Sequence, residues 1–334
     1  MHEDRSISGK QGSVRNSFNE EELTVVVTHR SALTEEIVEL EFRNADGSDL
    51  PAWDPGSHIE IVLSESVIRQ YSLCGDPSDR GCWRIAVLRE ADGRGGSLQI
   101  HEELHVGSSV AVRGPRNLFP LRPSPNYVFI AGGIGITPML PMVSAAAKAG
   151  ARWSIHYGGR SRRSMAFAEK LLEIDGAGVR LYPQDEVGVI DLNSALGQPD
   201  TDTLVYCCGP EALLRAVEDR CRSSWPSDAL CIERFSPKSV DSSAGDDSFE
   251  VELMQSSMTV TVNPGQSILS ALEEVGVPVL ASCMEGTCAT CEVAVLEGVP
   301  DHRDSVLTER EREDNKTMMI CVSRAAGSRI VLDL

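Results

Sequence analysis

The stretch CMEGTCATC, residues 283–291, places three cysteines within nine residues. A fourth, Cys321, follows after 29 intervening residues, so three thiols share one loop and one comes from a separate segment. This is the ligand spacing of a plant-type [2Fe–2S] cluster. The residues between the cysteines are mostly small, which lets backbone N–H groups approach the sulfurs. We predict that the cluster ligands are Cys283, Cys288, Cys291 and Cys321.

Zinc is the main alternative reading of these cysteines. Structural zinc sites usually pair two short knuckles, each with two closely spaced ligands. Cys321 has no close cysteine companion, so the zinc pattern fits less well. Four structurally inert cysteines are the third reading.

Composition and charge limit the classes of function. The chain has 334 residues, 41% of them hydrophobic, and a formal net charge of −19. The length predicts two or three domains. The negative charge argues against a nucleic-acid partner, because such a partner requires a basic surface. An acidic surface suits docking onto a basic protein, and simple solvation explains it equally well.

The N-terminus and the cysteine content predict a compartment. Residues 1–20 are polar and contain no apolar segment typical of a signal peptide. No run of about 18 apolar residues predicts a membrane span. Ten cysteines in a chain without secretion signals favour reduced thiols and a cytosolic location.

The pattern of apolar runs divides the chain. Residues 1–20 are predicted to be a disordered tail. Six short β-type runs predict an antiparallel β-barrel over 21–123. Strands then alternate with helices over 124–235, which predicts an α/β domain with a parallel sheet. Residues 236–247 read as a linker, and 248–334 as a compact α+β domain.

Two motifs in the barrel segment suit a phosphorylated cofactor. RQYSLCGDP starts at Arg69, which can pair with a phosphate, while Tyr71 can stack on a ring and Ser72 can supply a hydroxyl. DGRGGSLQIHEEL, 92–104, sets glycines before a helix, where free N–H groups and the helix dipole attract an anion. From it we predict binding by Arg94, Gly95, Gly96 and Ser97. The alternatives without a cofactor are an edge strand with a solvated arginine for the first motif and a serine-capped turn for the second.

The motif AGGIGITPML, 131–140, follows an apolar strand and opens a helix. Gly132, Gly133 and Gly135 allow close approach of the backbone to a pyrophosphate. Thr137 is predicted to cap the helix, with Pro138 at its first position.

Three further segments complete the predicted nucleotide site. YCCGPEALL, 206–214, ends one strand and starts a helix around Cys208, Gly209 and Pro210. CIERF ends at Phe235, which either packs against a flavin or fills a core. HYGGRSRRSMAF carries arginines that could meet a 2′-phosphate or a pyrophosphate, or remain solvated: Arg160, Arg162 and Arg163.

Taken in order, these motifs resemble the phthalate dioxygenase reductase family, which includes vanillate O-demethylase reductases. The resemblance covers about 21–334 and implies a C-terminal β-grasp ferredoxin domain. It implies FMN rather than FAD, and NADH, with NADPH left open. It places Cys208, Thr137 and Phe235 at the catalytic contact between nicotinamide and flavin. Many relatives carry glycine after the second cysteine, where this chain has Ala289, and His302 in DHRD is expected on a surface loop.

The resemblance implies an electron-transfer enzyme. NAD(P)H would reduce FMN by hydride transfer, and the [2Fe–2S] cluster would pass single electrons to a terminal oxygenase. The expected partner is a Rieske non-haem iron oxygenase acting on an aromatic acid or aryl ether, and the chain is expected to be a monomer. A cytochrome P450 partner is the alternative. A redox sensor or a zinc-bearing binding module would leave the flavin and nicotinamide motifs without a role.

Overall fold

A computed structural model describes residues 22–64, 67–91, 93–174, 178–237 and 247–334. The predicted tail, 1–20, lies outside the described residues, as does most of the predicted linker, 236–247. Within the described ranges, no helix has the length and apolarity needed to cross a bilayer.

Six antiparallel strands form the first sheet, which we call the barrel sheet: β1 (Leu23–Ala32), β2 (Ile37–Asn44), β3 (Ser57–Ser64), β4 (Val67–Ser72), β5 (Trp83–Leu88) and β6 (Ser109–Asn117). Their order is β4-β3-β6-β1-β2-β5. The sheet curls into a barrel, so that its two edge strands, β4 and β5, approach each other. Just after β4, the Cys74 N–H donates to the Arg84 carbonyl of β5 at 2.9 Å. Alternate apolar side chains fill the interior, among them Phe42, Trp83 and Ile85. The predicted antiparallel barrel is confirmed, and α1 (Gly96–Glu103) follows β5.

Five parallel strands form the second sheet: β7 (Asn126–Gly132), β8 (Arg152–Gly159), β9 (Val179–Pro183), β10 (Thr203–Cys208) and β11 (Leu230–Glu233). Its helices are α2 (Ile136–Lys148), α3 (Ala168–Glu173), α4 (Gln184–Val187), α5 (Leu192–Leu196) and α6 (Glu211–Arg222). The order β11-β10-β7-β8-β9 reverses direction between β7 and β10. In such sheets ligands bind beyond the carboxyl ends of the strands at this switch point.

Helix α2 begins earlier than the sequence predicts. A 3₁₀ turn, Gly133–Gly135, leads directly into the helix, so its N-cap is Gly135 and no side chain caps it. The Thr137 hydroxyl instead donates to the Ile134 carbonyl at 3.0 Å. The prediction that Thr137 caps the helix is therefore wrong. Pro138 is its third residue rather than its first, where a missing N–H is still tolerated because the first four N–H groups lack partners within the helix.

The C-terminal segment forms a mixed sheet with the order β13-β12-β18-β14-β16, plus a β15-β17 ribbon. Its elements are β12 (Phe249–Leu253), β13 (Met258–Val262), α7 (Ile268–Glu274), β14 (Glu292–Glu297), β15 (Pro300–Asp301), α8 (Glu309–Asp314), β16 (Thr317–Met319), β17 (Arg324–Ala325) and β18 (Arg329–Leu332). Strands β12 and β18 pair in parallel, and α7 buries Ile268 and Leu272 in a core that also contains Cys291 and Cys321. This is the predicted ferredoxin-like α+β arrangement.

Candidate functional site

A cavity of about 370 Å³ lies where the barrel, the parallel sheet and the C-terminal domain meet. From the barrel it is lined by predicted flavin residues: Arg69, Tyr71, Ser72, Arg94, Gly96 and Ser97. Thr137 and Phe235 line it from the parallel-sheet segment. The wall is completed by three residues of the cysteine loop 283–291, which we call the cluster loop: Cys283, Glu285 and Thr287. One space therefore touches all three predicted cofactor regions.

The end of this cavity beside α1 is built for an anion. Arg69 packs across Gly96 so closely that a Cβ there would lie 2.6 Å from Arg69 Cγ and Nε. Its Nη2 donates to the Arg94 carbonyl at 2.9 Å. Burial, and then the charge of Arg94, lower the pKa of Arg69. The Arg69 guanidinium beside the free N–H groups at the start of a helix fits a phosphate. The cradle therefore fits the phosphate of FMN.

Three other residues predicted to bind the anion hold the surrounding loops in place: Gly95, Ser97 and Arg94. Gly95 has a φ of 81° and precedes α1, a conformation that favours glycine. The Ser97 hydroxyl accepts a hydrogen bond from the Glu90 N–H at 3.1 Å, which fixes the loop before the helix. Arg94 reaches across to the cluster loop, where it donates to the Cys283 carbonyl at 3.2 Å and pairs with Glu285 at 2.6 Å.

The nicotinamide motif lies at the switch point of the parallel sheet. The loops after β7 and β10 press together, so that a Cβ on Gly135 would lie 2.3 Å from the Cys208 carbonyl oxygen. A Cβ on Gly132 would lie 2.7 Å from Pro210 Cδ, and Gly209 also packs against Gly132. Gly133 has a φ of 54° and open space around its Cα. Small residues are therefore required where the two loops touch.

The three predicted catalytic positions have different surroundings. Thr137 is buried and lines the cavity. Phe235 is 43% exposed and lines the cavity too, so it does not fill a core. The Cys208 side chain is completely buried in the apolar core under the parallel sheet, and burial raises its pKa well above the usual thiol value. Cys208 is thus a neutral thiol behind the loop.

A smaller cavity of about 80 Å³ adjoins the first and shares Gln70, Tyr71, Ser72, Phe235 and Thr287 with it. Two titratable groups that sequence reasoning missed face it. Burial lowers the pKa of His58 to about 4, helped by the charge of Arg116. Burial also raises the pKa of Glu233 to about 8. Both groups are therefore neutral near pH 7.

The raised pKa of Glu233 predicts a pH effect on stability. Between pH about 4.5 and about 8 the folded protein keeps a proton that the unfolded chain releases, so stability falls as pH rises through this window. We expect Glu233→Gln to flatten this part of the stability curve, measured by urea unfolding at several pH values. The exposed Glu250→Gln is the matched control, and an unaltered curve for Glu233→Gln would contradict the assignment.

Two of the three arginines predicted after β8 have carboxylate partners. Arg160 pairs with Glu36 of the barrel, and Arg162 Nε lies 3.8 Å from Glu186 Oε1. A 2′-phosphate would have to compete with these partners for the guanidinium groups.

The four predicted cluster ligands converge. The thiols of Cys288 and Cys321 lie within hydrogen-bond reach of the Cys283 sulfur and lower the pKa of Cys283, and Cys321 likewise reaches Cys291. The N–H groups of Glu285 and Thr287 point at Cys283 Sγ, each at 3.4 Å. Among the described residues, no group of three or more His, Cys, Asp or Glu side chains is arranged around a single metal ion. A binuclear cluster instead spreads four thiolates around two irons, and this donor set fits it.

The segment DHRD, residues 301–304, and the residue after it pack against the cluster loop. The Asp304 side chain is fully buried and accepts the N–H groups of Val306 and Leu307 at 2.9 and 2.8 Å. The Ser305 N–H donates to the Gly286 carbonyl at 2.8 Å. The side chain of His302 is only 8% exposed. The expectation of a surface loop around His302 is therefore wrong.

Known proteins share both the motifs and the fold. Residues 251–326 match the family described as 2Fe-2S iron-sulfur cluster binding domain, and 129–219 match the oxidoreductase NAD-binding domain. The carnitine monooxygenase reductase subunit of Acinetobacter baumannii is 35% identical over 92% of this chain and 97% of its own length. The structure of phthalate dioxygenase reductase aligns with a TM-score of 0.68 and 33% identity, covering 94% of this chain and 98% of that one.

The chain belongs to the phthalate dioxygenase reductase family.

Members of this family carry FMN and a [2Fe–2S] cluster and use a nicotinamide nucleotide, and this chain is such an oxidoreductase. It also aligns with an intact type IV self-sufficient cytochrome P450 monooxygenase, with a TM-score of 0.86 and 45% identity over 94% of this chain. The chain spans only 41% of that P450.

Ala289, which follows the second ligand of the cluster loop, adopts a backbone conformation that favours glycine. Its φ is 58°, in the left-handed region that disfavours a Cβ by roughly 1 kcal/mol. We expect Ala289→Gly to relax the loop and lengthen the half-life of the cluster in the presence of a chelator by about two- to fivefold. The exposed Ala326→Gly, at a residue without positive φ, is the control. Equal or faster bleaching of Ala289→Gly would contradict this expectation.

Proposed function

We propose that this chain is the reductase component of an oxygenase system that delivers single electrons from NADH to a terminal Rieske-type oxygenase. The proposal is supported by family membership, since the Acinetobacter relative is named a reductase subunit of a monooxygenase. The observation that carries it is the position of Cys283, a predicted cluster ligand that lines the flavin cavity. From a flavin bound in this cavity, electrons would reach a ligand of the cluster without crossing another layer of protein.

We assign the flavin-binding roles to the residues around the large cavity. Once bound, FMN would supply the conversion between a two-electron nucleotide donor and a one-electron iron acceptor. Arg69 and the start of α1 would hold its phosphate, and Ser72 and Tyr71 are the proposed contacts of its ring system. Burial raises the pKa of Tyr71, so the phenol keeps its proton and can donate a hydrogen bond.

The residues at the switch point position the nicotinamide. The Gly132, Gly133 and Gly135 backbone receives the pyrophosphate, and Thr137 lines the wall facing the flavin. Phe235 lines both cavities and is partly exposed, so it is the side chain that we propose would shield the flavin until the nicotinamide takes its place. The segment after β11 that carries Phe235 is held by its neighbour Arg234, which pairs with Glu211 at 3.0 Å and with Glu218 at 2.7 Å.

NADH is the proposed donor. Arg160 and Arg162 already pair with Glu36 and Glu186, so a 2′-phosphate would have to compete with these carboxylates. The kcat/KM values with NADH and NADPH test this directly, and a preference for NADPH would contradict it.

The C-terminal domain is the proposed docking face for the oxygenase. Residues 248–334 contain 14 acidic and 6 basic side chains, a net charge of −8. Leu280 and Met284, next to the first ligand, are 62% and 47% exposed. An exposed apolar pair on an acidic domain suits a basic partner surface with an apolar centre.

The charge predicts a salt effect on electron delivery. Raising the ionic strength from about 0.01 to about 0.15 M shortens the screening length from about 30 to about 8 Å. We expect the second-order rate of reduction of the partner oxygenase to fall at least tenfold over this range. The NADH-driven reduction of the flavin itself serves as the internal control. A rate of delivery independent of salt would contradict acidic docking.

A cytochrome P450 is the second candidate acceptor. The observation in its favour is the 45% identity and close structural match to the self-sufficient P450 monooxygenase, of which the chain spans 41%. Reduction assays with a P450 and with a Rieske oxygenase, side by side, distinguish the two.

An anaerobic titration with NADH tests the electron-transfer function. We expect the flavin and iron–sulfur absorption bands to bleach together, with about three electrons taken up per chain. Bleaching of the flavin alone would contradict a working cluster.

Further assignments follow the same reasoning. We propose domains at 21–123, 124–235 and 248–334, and a monomer in solution. We also propose a cytosolic location, supported by ten cysteines that are all free of disulfides.

A further inference from the structure

Two polar side chains of strand β3 are buried where the alternation of the strand points them away from the barrel interior. Ile59 and Ile61 belong to the barrel core. Their neighbours His58 and Glu60 must therefore face outward, because successive side chains of a strand point to opposite sides. Nevertheless Glu60 is only 1% exposed and His58 only 5%. The cluster loop of the C-terminal domain covers this face.

Glu60 is the centre of the contact between barrel and cluster loop. Its Oε1 accepts hydrogen bonds from Ser282 Oγ at 2.6 Å, from Arg116 Nη1 at 3.1 Å and from Gln70 Nε2 at 3.2 Å. Arg116, on β6, is itself mostly buried, with 11% of its side chain exposed. Ser282 directly precedes the ligand Cys283, so the bond to Glu60 fixes the entry to the cluster loop.

Arg116 also reaches the other end of the same loop. Its Nη1 donates to Thr290 Oγ1 at 2.8 Å, and Thr290 directly precedes the ligand Cys291. Thr290 Oγ1 in turn lies 3.1 Å from Cys288 Sγ. A ligating cysteine is a thiolate and can only accept a hydrogen bond. The Thr290 hydroxyl therefore donates to Cys288 while it accepts from Arg116.

We propose that the Glu60–Arg116 pair is a positioning device for electron transfer, which clamps both ends of the cluster loop to the barrel and raises the reduction potential of the cluster through Thr290. The proposal rests on the cluster assignment but on no particular oxygenase. A buried ion pair adds little stability by itself, because desolvation offsets the attraction. Because the Glu60–Arg116 pair contacts the cluster loop at both ends, we assign it the role of positioning that loop.

The effect on potential follows from charge. Reduction adds one negative charge to the cluster, and hydrogen bonds to the sulfurs and nearby positive charge favour that state. Removing the Arg116 charge or the Thr290 hydroxyl should therefore make the cluster harder to reduce. Because both residues belong to one hydrogen-bonded chain, the two effects should not add.

The test is a redox titration of the holoprotein, followed by the electron paramagnetic resonance signal of the reduced cluster. We expect Arg116→Gln and Thr290→Val each to lower the reduction potential of the cluster. The electron equilibrium between flavin and cluster should shift about tenfold toward the flavin, which corresponds to about 59 mV. The double variant should shift the potential little further, and Thr290→Ser, which keeps the hydroxyl, should have the parent value. Unchanged potentials in both single variants, or fully additive shifts, would overturn the proposal.

The clamp itself is tested by kinetics. We expect Ser282→Ala to slow reduction of the cluster about two- to tenfold in stopped-flow mixing with NADH, while reduction of the flavin keeps its rate. Arg113→Gln, on the same strand β6 but paired at the surface with Glu22, is the matched control and should change neither rate. Equal slowing of both steps, or of neither, would contradict a clamp. Thr290→Val exchanges a hydroxyl for a methyl group and leaves the buried charges in place, so the proposal stays testable even where a charge variant of the buried pair fails to fold.

Discussion

Cys321→Ala should abolish electron delivery from the cluster while leaving the flavin functional. The other three ligands share one loop, but Cys321 comes from the segment after β16 and joins Cys291 in the C-terminal core. Without it one iron lacks a thiolate, and partly ligated clusters lose their metal because binding and local folding are coupled. We expect iron to fall from two atoms per chain to almost none, and reduction of a one-electron protein acceptor to fall on the order of 100-fold or more.

The same variant should still reduce a small dye from NADH, since its flavin and nicotinamide residues are untouched. Cys221→Ala is the matched control, because it removes another buried thiol, on α6, outside the cluster. It should keep its iron and its visible spectrum. A normal cluster spectrum in Cys321→Ala would show that the ligand is wrongly assigned.

Gly135→Ala should damage both stability and hydride transfer. The new Cβ would lie 2.3 Å from the Cys208 carbonyl oxygen, 2.5 Å from its carbonyl carbon and 2.7 Å from the Gly209 nitrogen. All three are backbone atoms, so relief requires the loops after β7 and β10 to separate. Overpacking of this kind destabilises by typically 1–3 kcal/mol. A displacement of about 1 Å at the nicotinamide can slow the reaction on the order of 100-fold.

Urea unfolding and stopped-flow reduction of the flavin by NADH measure the two effects. Gly150→Ala, at the end of α2, is the control: its φ of 71° makes alanine unfavourable, but no atom lies within 4 Å of the new Cβ. It should cost about 1 kcal/mol without slowing hydride transfer. Native stability together with native kinetics in Gly135→Ala would mean that the loops are not in firm contact.

Local signals predicted the local structure well. The six apolar runs of the barrel correspond to β1–β6, because alternation within a strand is readable from a few residues. The spacing of the cysteines identified a loop whose sulfurs do converge. The error at Thr137 arose because the 3₁₀ turn before α2 supplies the helix start that a side-chain cap would otherwise provide.

What the sequence could not show is where the domains meet. Glu285 and Thr287 line the flavin cavity although they follow Arg69 by more than 200 residues. Glu60 reads as an ordinary polar residue of a half-exposed strand, and only the docked C-terminal domain makes it buried. The same holds for Arg94, whose cluster-loop partners lie in another domain. Contacts of this kind depend on rigid-body placement, which no short-range pattern encodes.

The flavin cavity has one wall made of the cluster loop, with Cys283, Glu285 and Thr287 facing inward. This wall belongs to the same polypeptide as the rest of the cavity, so the electron acceptor stands beside the donor before any collision between molecules. Transfer from one to the other is therefore an intramolecular step, and its rate should not depend on the concentration of the protein.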